Sequence, residues 1–286
     1  MGAGAVGLWS ALALLTVRSG EAPPFLLTAL CLGIGAAAGA GRSLWAGRRL
    51  GPSFRLPARI WALGVGGIFG YHFFYFLALR SAPPAEAGLI AYLWPLLIVL
   101  LSGLLPGERL RPAHVLGALA AFAGAGIILA PGIGATGFAP EYAVGFAAAG
   151  ACALIWSGYS VLSRLAGTAP TDSVTGFCAA GAVLAALAHL ALEPTVWPRD
   201  AGEWAAVVAL GPGPLGLAFH LWDEGVKRGD IQLPGVAACA APLLSTLALV
   251  AAGEARATPS LLLSAGLIAG GAALAALGGR RRSPEV

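Results

Sequence analysis

Charged residues interrupt this chain at wide intervals, and the stretches between them are apolar. Ten stretches of at least 17 residues carry no Asp, Glu, Lys or Arg: 1–17, 22–41, 60–79, 87–107, 112–140, 142–163, 173–192, 204–222, 231–253 and 257–279. A helix needs about 20 apolar residues to cross the hydrocarbon core of a bilayer. The pattern therefore predicts an all-α membrane protein of ten transmembrane helices, with little mass outside the lipid.

Composition sharpens this reading. The 286 residues are 58% hydrophobic and 10% charged, against roughly 25% charged in soluble proteins, and the mean hydropathy is +0.82. A soluble globule, a nucleic-acid binder and a disulfide-stapled secreted domain are excluded. The formal charge of +4 comes from cations in short loops, which gives no reason to expect a nucleic-acid partner. Cys31, Cys152, Cys178 and Cys239 lie inside apolar runs without C-x-x-C spacing. They are expected as small buried side chains, with no metal and no cofactor. Residues 1–17 lack a basic start and are read as the first helix, not as a cleaved leader.

Lys and Arg set the orientation of such a chain. With a cytoplasmic N-terminus, the inside loops hold Arg42, Arg48, Arg49, Arg55, Arg59, Arg109, Arg111, Arg164, Lys227, Arg228 and Arg280 to Arg282. The outside loops hold Arg18, Arg80, Arg199 and Arg256, a balance of 13 against 4. Both termini are thus expected in the cytoplasm. A single Lys beside 16 Arg, with 42 Gly, suggests a GC-rich bacterial genome and a plasma (inner) membrane.

The two halves of the chain repeat. Trp9-Ser10, Arg80, Pro95-Leu96-Leu97 and Pro112 return 147 residues later as Trp156-Ser157, Lys227, Pro242-Leu243-Leu244 and Pro259. Gly107-Glu108 returns as Gly253-Glu254 at 146. The predicted division is a first five-helix repeat over 1–135, a second over 140–280 and a cytoplasmic tail at 281–286. Because five is odd, the second repeat enters the membrane from the other side. Two inverted-topology five-helix repeats around a central cavity are the architecture of secondary transporters.

Interruptions fall at equivalent depths. Gly64, Gly66, Gly67 and Gly70 in the third run match Gly211-Pro212-Gly213-Pro214 and Gly216 in the eighth. Pro95 and Pro242 in the fourth and ninth runs each remove a helix hydrogen bond, which frees the carbonyls of Ala91 and Ala238. Pro95, Pro242, Gly211, Pro212, Gly213 and Pro214 are the candidate gating or hinge positions; close helix packing is the competing account of the glycines.

Aromatic residues divide by depth. Trp45, Trp61, Trp197 and Trp204 stand near run ends, where Trp anchors the lipid–water boundary. Trp9, Tyr71, His72, Tyr75, Tyr92, Trp94, Trp156, Tyr159, Phe219 and His220 lie deeper and are the candidate substrate-binding residues. A Tyr hydroxyl or Trp N–H at that depth needs a partner that lipid cannot supply. Tyr71 and Tyr75 share a helix face, as do Trp156 and Tyr159. A ring-walled, nearly uncharged site suits an aromatic or amphipathic small molecule, and ring faces attract the cation of an α-amino group. Packing of bulky side chains is the alternative. His72 is a substrate contact, a proton carrier or a packed residue; His114 and His189 read as structural. Asp223 and Glu224 read as helix-end charges beside Lys227 and Arg228. Glu86 is a dipole cap or a partner for Arg80. Since no acid sits at the centre of a run, facilitated export or exchange is favoured.

These residues resemble a known family. Trp-Ser in the first helix of each half, with Arg80 or Lys227 ahead of Pro-Leu-Leu and then Gly-Glu, is similar to the EamA-type members of the drug/metabolite transporter superfamily. Tyr71-His72, Tyr75, Tyr-x-Trp-Pro at 92–95 and Trp156 resemble its aromatic amino acid exporters of bacterial inner membranes. The resemblance implies a basket-like ten-helix bundle that exports aromatic and some other amino acids by alternating access. The chain departs from it in the second half, where Ala-Ala-Pro stands for Leu-Trp-Pro. The expected partners are a small-molecule substrate and the lipid bilayer, with no obligate protein partner evident. A broad drug or metabolite exporter is the alternative. An enzyme is not expected: there is no H-E-x-x-H motif, and Ser10 and Ser157 have no evident base. A scaffold would have no use for paired breaks.

Overall fold

The computed structural model describes residues 1–129, 140–166, 169–253 and 259–279. Glu254, Arg256, Arg280 to Arg282 and the tail at 281–286 lie outside the described residues. Within them the protein is helical throughout, with no strand. Seven helical stretches are long and apolar enough to cross a membrane: Pro24–Trp45, Ala58–Ser81, Pro140–Leu165, Ser173–Leu192, Ala201–Arg228, Gln232–Ala251 and Pro259–Leu277. Three shorter apolar stretches, Gly2–Arg18, Glu86–Ser102 and Pro112–Ile127, accompany them.

Several stretches are composite, for local chemical reasons. The first is α1 (Gly2–Ser10) and α2 (Leu12–Arg18). Ser10 Oγ donates to the Gly7 carbonyl at 2.6 Å, and Ala11 N–H reaches back only to Leu8; such back-bonding bends helices. After α3 (Pro24–Trp45) and the short α4 (Gly51–Phe54), α5 (Ala58–Val65) runs through a π-helical turn, Gly66–Gly70, into α6 (Tyr71–Ser81). A π turn widens the backbone within a continuous helix. The glycines of this run therefore loosen the helix without breaking it. Next, α7 (Pro84–Ala91) stops before Tyr92-Leu93, and α8 (Trp94–Ser102) restarts with Pro95 at its second position. There the missing N–H of proline costs the new helix nothing. Helix α9 (Pro112–Leu129) follows.

The same sequence of devices recurs. α10 (Ala143–Leu165) and α11 (Ser173–Leu192) precede α12 (Ala201–Leu210), the π turn Gly213–Leu217 and α13 (Ala218–Arg228). Then come α14 (Gln232–Ala238), the break at Cys239-Ala240, α15 (Ala241–Ala251) and α16 (Pro259–Gly279). Both π turns, the starts of α6 and α13, and the starts of α8 and α15 stand 147 residues apart. Gly107 and Gly253 follow the helices that α8 and α15 end, with φ of 82° and 79°. Only glycine takes that conformation without a Cβ penalty.

Equivalent helices pack on each other: α3 against α11, and α9 against α16. α6 packs on α10, and α13 on α1. Small residues permit the closest approaches. A Cβ at Gly35 would stand 2.7 Å from the Gly211 carbonyl oxygen and 3.0 Å from Gly216 Cα. The four cysteines are free and buried. Trp45 is 92% exposed, and Trp197 stacks on Trp204 with both rings exposed, as residues at a lipid boundary would be. Trp61 instead turns inward, edge-on to Phe177 at 5.4 Å.

Candidate functional site

The π turns and the proline breaks bring the middles of six helices to one place. There α1 with α2, α6, α7 with α8, α10, α13 and α15 surround a cavity of about 310 Å³. It is lined by Trp9, Leu12, Ala13, Tyr71, His72, Tyr75, Gly88, Ala91, Tyr92, Trp94, Trp156, Phe219, Ala241, Pro242 and Ser245. None of these carries a formal charge at neutral pH if His72 is neutral. A volume of a few hundred Å³ holds a small molecule.

The rings form one connected wall. Trp9 lies 5.7 Å from Trp156 and 6.1 Å from both Trp94 and Phe219, ring centre to ring centre. Trp94 and Trp156 meet edge to face at 6.2 Å. Tyr71 and Tyr75, one turn apart, stack in parallel at 5.9 Å, and Tyr71 reaches Trp156 at 5.6 Å. Tyr92 stands 6.0 Å from Trp94, and His72 6.3 Å from Phe219. Edge-to-face contacts of this kind hold rings in fixed orientations.

Polar atoms at this depth are tied to backbone that the breaks set free. Trp9 Nε1–H donates to the Pro214 carbonyl at 3.1 Å. That carbonyl is bypassed because Ala218 N–H goes to Gly213, five residues back. Tyr92 donates its hydroxyl to the Ala238 carbonyl, the group that Pro242 leaves without a helical N–H. His72 Nδ1 lies 2.7 Å from the Ile68 carbonyl within the first π turn. A carbonyl only accepts, so Nδ1 carries the proton, and Nε2 of the neutral ring is a bare acceptor.

Eight of the ten candidate substrate-binding residues thus line one cavity. Tyr159 and His220 do not. Tyr159 is buried behind Trp156, with its ring against the bare backbone of Gly67. His220 donates from Nδ1 to the Gly216 carbonyl at 3.0 Å, and its Nε2 lies 3.1 Å from Thr175 Oγ1. Of the hinge candidates, Pro242 lines the cavity, Pro95 is buried in α8, and Gly211 to Pro214 enter the second π turn. Sequence reasoning missed Trp222. It is fully buried, 5.2 Å from Trp9 and 5.6 Å from Trp94, and donates to Ser160 Oγ at 2.9 Å. Its place one turn after Phe219 was the available signal. The small lining residues Ala13, Gly88, Ala91 and Ser245 gave none.

The sequence profile of the EamA-like transporter family matches residues 1–130 and 143–277. The chain belongs to the EamA-like transporter family. It is 58% identical to the aromatic amino acid exporter YddG of Ancylobacter novellus over 277 residues, covering 97% of this chain and 96% of that protein. It is 26% identical to the uncharacterized transporter YyaM of Bacillus subtilis over 58% of this chain and 56% of that one. A solved structure at 57% identity superposes with a TM-score of 0.92, covering 98% of this chain and 97% of that chain. The chain is therefore a multi-pass membrane protein of a transporter family.

At either end of the transporter the charges are paired. Where α3 begins, Glu193 accepts from the backbone N–H groups of Phe25 and Leu26, binds Arg80 at 2.6 Å and lies 3.0 Å from His189 Nδ1. The carboxylate faces a helix N-terminus, where negative charge is favoured. Arg80 thus pairs with Glu193 and not with Glu86, a choice that the linear sequence left open. At the other end Arg164 binds Glu108 and the carbonyls of Val226 and Gly229. Asp223, 1% exposed, holds Lys227 at 2.8 Å and Thr171 at 2.9 Å. Glu224 pairs with Arg228 at 2.6 Å. The reading of Asp223 and Glu224 as helix-end charges agrees with these pairs.

Proposed function

We propose that this transporter exports aromatic amino acids across a bacterial inner membrane by alternating access. The observation that carries the reading is a ring-walled cavity with no lining carboxylate, lysine or arginine, formed where the recurring helix breaks converge. A side chain of Phe, Tyr or Trp would lie against Trp9, Trp94 and Trp156. A zwitterion, neutral overall, avoids the cost of placing net charge at that depth.

The architecture proposed for this activity is ten membrane segments, as two inverted five-helix repeats over 1–135 and 140–280. Support comes from the recurrence of π turns and proline breaks at one spacing, and from the odd number of helices per repeat. The balance of Lys and Arg, 13 against 4, supports a cytoplasmic position for both termini. On that orientation the cluster of Glu108, Arg164, Asp223 and Lys227 lies at the cytoplasmic end and the cluster of Arg80, Glu193 and His189 at the other, as two candidate gates. Rocking of the halves at Pro95, Pro242 and Gly211 to Pro214 would exchange the open and closed ends.

Reconstituted vesicles loaded with labelled Phe or Trp test the reading. Efflux is expected, and its absence from correctly inserted protein would overturn it. A broader drug and metabolite exporter is the second reading, since the second-half break carries Ala-Ala-Pro where the first carries Leu-Trp-Pro. Competition by Thr, Met or a quaternary cation as strong as that by Phe would favour it.

A further inference from the structure

We infer that the ring of the transported amino acid takes the place that the repeat would give to a second Trp94, and that Ala241 decides which rings fit there. This rests on the reading of the chain as an amino acid exporter built from two repeats, and it names a specificity-determining residue within that reading.

Trp94 is the first residue of α8, and 147 residues later Ala241 is the first residue of α15. A proline follows each of them, Pro95 and Pro242. The Trp94 ring packs against three tryptophans: Trp9 at 6.1 Å, Trp156 at 6.2 Å and Trp222 at 5.6 Å. At the same spacing their counterparts are Trp156, Trp9 and Tyr75. A ring carried at position 241 would therefore lie among Trp156, Trp9 and Tyr75. All three line the cavity, and so does Ala241, whose methyl group leaves that place open.

The helices around it depart from the repeat in the same sense. α14 packs on α8, so closely that a Cβ at Gly235 would stand 3.0 Å from Val99 Cγ2 and 3.2 Å from Ile98 Cγ2. The matching pair is α7 and α15, with Gly88 in place of Gly235 and Ser245 in place of Ile98. Among the described residues those two helices do not pack on each other in this way. A Cβ at Gly88 would meet nothing within 4 Å, and Gly88 and Ser245 both line the cavity. One helix contact of the repeat is closed and its twin is parted, and the missing ring belongs beside the parted one. Aromatic rings prefer the edges and faces of other rings, so a place bounded by two indoles and a phenol suits the side chain of Phe, Tyr or Trp. The substrate's ring thus completes in one half the cluster that Trp94 completes in the other.

Equilibrium binding of labelled Phe and labelled Trp to the purified full-length protein tests this. Ala241→Leu fills part of the place and should weaken Trp about tenfold or more relative to Phe, the scale on which a pocket resolves small differences in size. Ala241→Trp supplies the missing ring itself and should abolish binding of both. If a variant at 241 fails to insert, Gly88→Val narrows the same place from α7 and should shift the preference from Trp toward Phe in the same way. A substitution that merely loosened the fold would weaken both ligands alike. An unchanged ratio of Trp to Phe affinity in Ala241→Leu or Gly88→Val, or Phe binding retained by Ala241→Trp, would overturn the inference while leaving amino acid export intact. Failure of the wild type to bind Phe or Trp at all would instead remove the export reading.

Discussion

The two halves of the transporter use the same breaks and complete them differently. In the second half, Pro212 and Pro214 widen the π turn so far that Ala218 N–H reaches Gly213, and the bypassed Pro214 carbonyl takes Trp9 from the first half. In the first half the turn is built from glycines, and Tyr71 N–H closes onto Gly67. Trp156, the counterpart of Trp9, therefore meets no such open carbonyl. The proline breaks differ in the same sense: Tyr92 donates its hydroxyl to the Ala238 carbonyl, while the equivalent place in the second half holds Cys239. At both breaks a first-half ring donates to a second-half carbonyl, Trp9 to Pro214 and Tyr92 to Ala238. A repeated backbone thus carries an unrepeated set of polar atoms.

The largest effect is expected where this asymmetry meets the substrate. His72→Ala or Trp94→Ala should abolish detectable Phe and Trp efflux from vesicles while the protein remains folded and inserted. Unchanged efflux would remove both residues from the site. A smaller effect is expected from Tyr92→Phe, which leaves the Ala238 carbonyl bare. It should destabilise the state in which that bond forms by about 1–3 kcal/mol. Cysteine accessibility measured from each side of the membrane would read this as a roughly tenfold shift toward the opposite-facing state. Trp9→Phe keeps a ring but frees Pro214. It should cost about 1 kcal/mol of thermal stability, and Trp156→Phe should cost less, because Trp156 has no matching bond; equal losses would end the comparison between halves. The smallest change belongs to the exposed Arg228, paired with Glu224 at 2.6 Å. Arg228→Ala should move stability by less than about 0.5 kcal/mol, measured by thermal unfolding in detergent.

Much of this was legible along the chain. The runs free of charge named the helical stretches, because burial in lipid is decided residue by residue. The recurrence of Trp-Ser, Pro-Leu-Leu and Gly-Glu placed the breaks, because proline and glycine act on the backbone locally. The breaks themselves were less legible. Gly64 to Gly70 and Gly211 to Gly216 read as interruptions, and both became π turns within continuous helices. A helix packed on its neighbours widens by one residue more readily than it opens. Tyr159 and His220 had the same credentials as their neighbours: Tyr159 shares a helix face with Trp156, and His220 follows Phe219. Rotation about a helix axis put one residue of each pair on the cavity and the other behind it.

The sequence by itself determined a membrane protein of apolar helices, broken in register at prolines and glycines, with rings gathered near the breaks. Those properties follow from short-range chemistry, from the hydropathy of a run and the missing N–H of a proline. Only the tertiary structure decided which rings share a wall, that Trp222 joins them, and that Tyr92 reaches a carbonyl 146 residues away. A hydrogen bond across that separation depends on the packing of helices that no local pattern encodes.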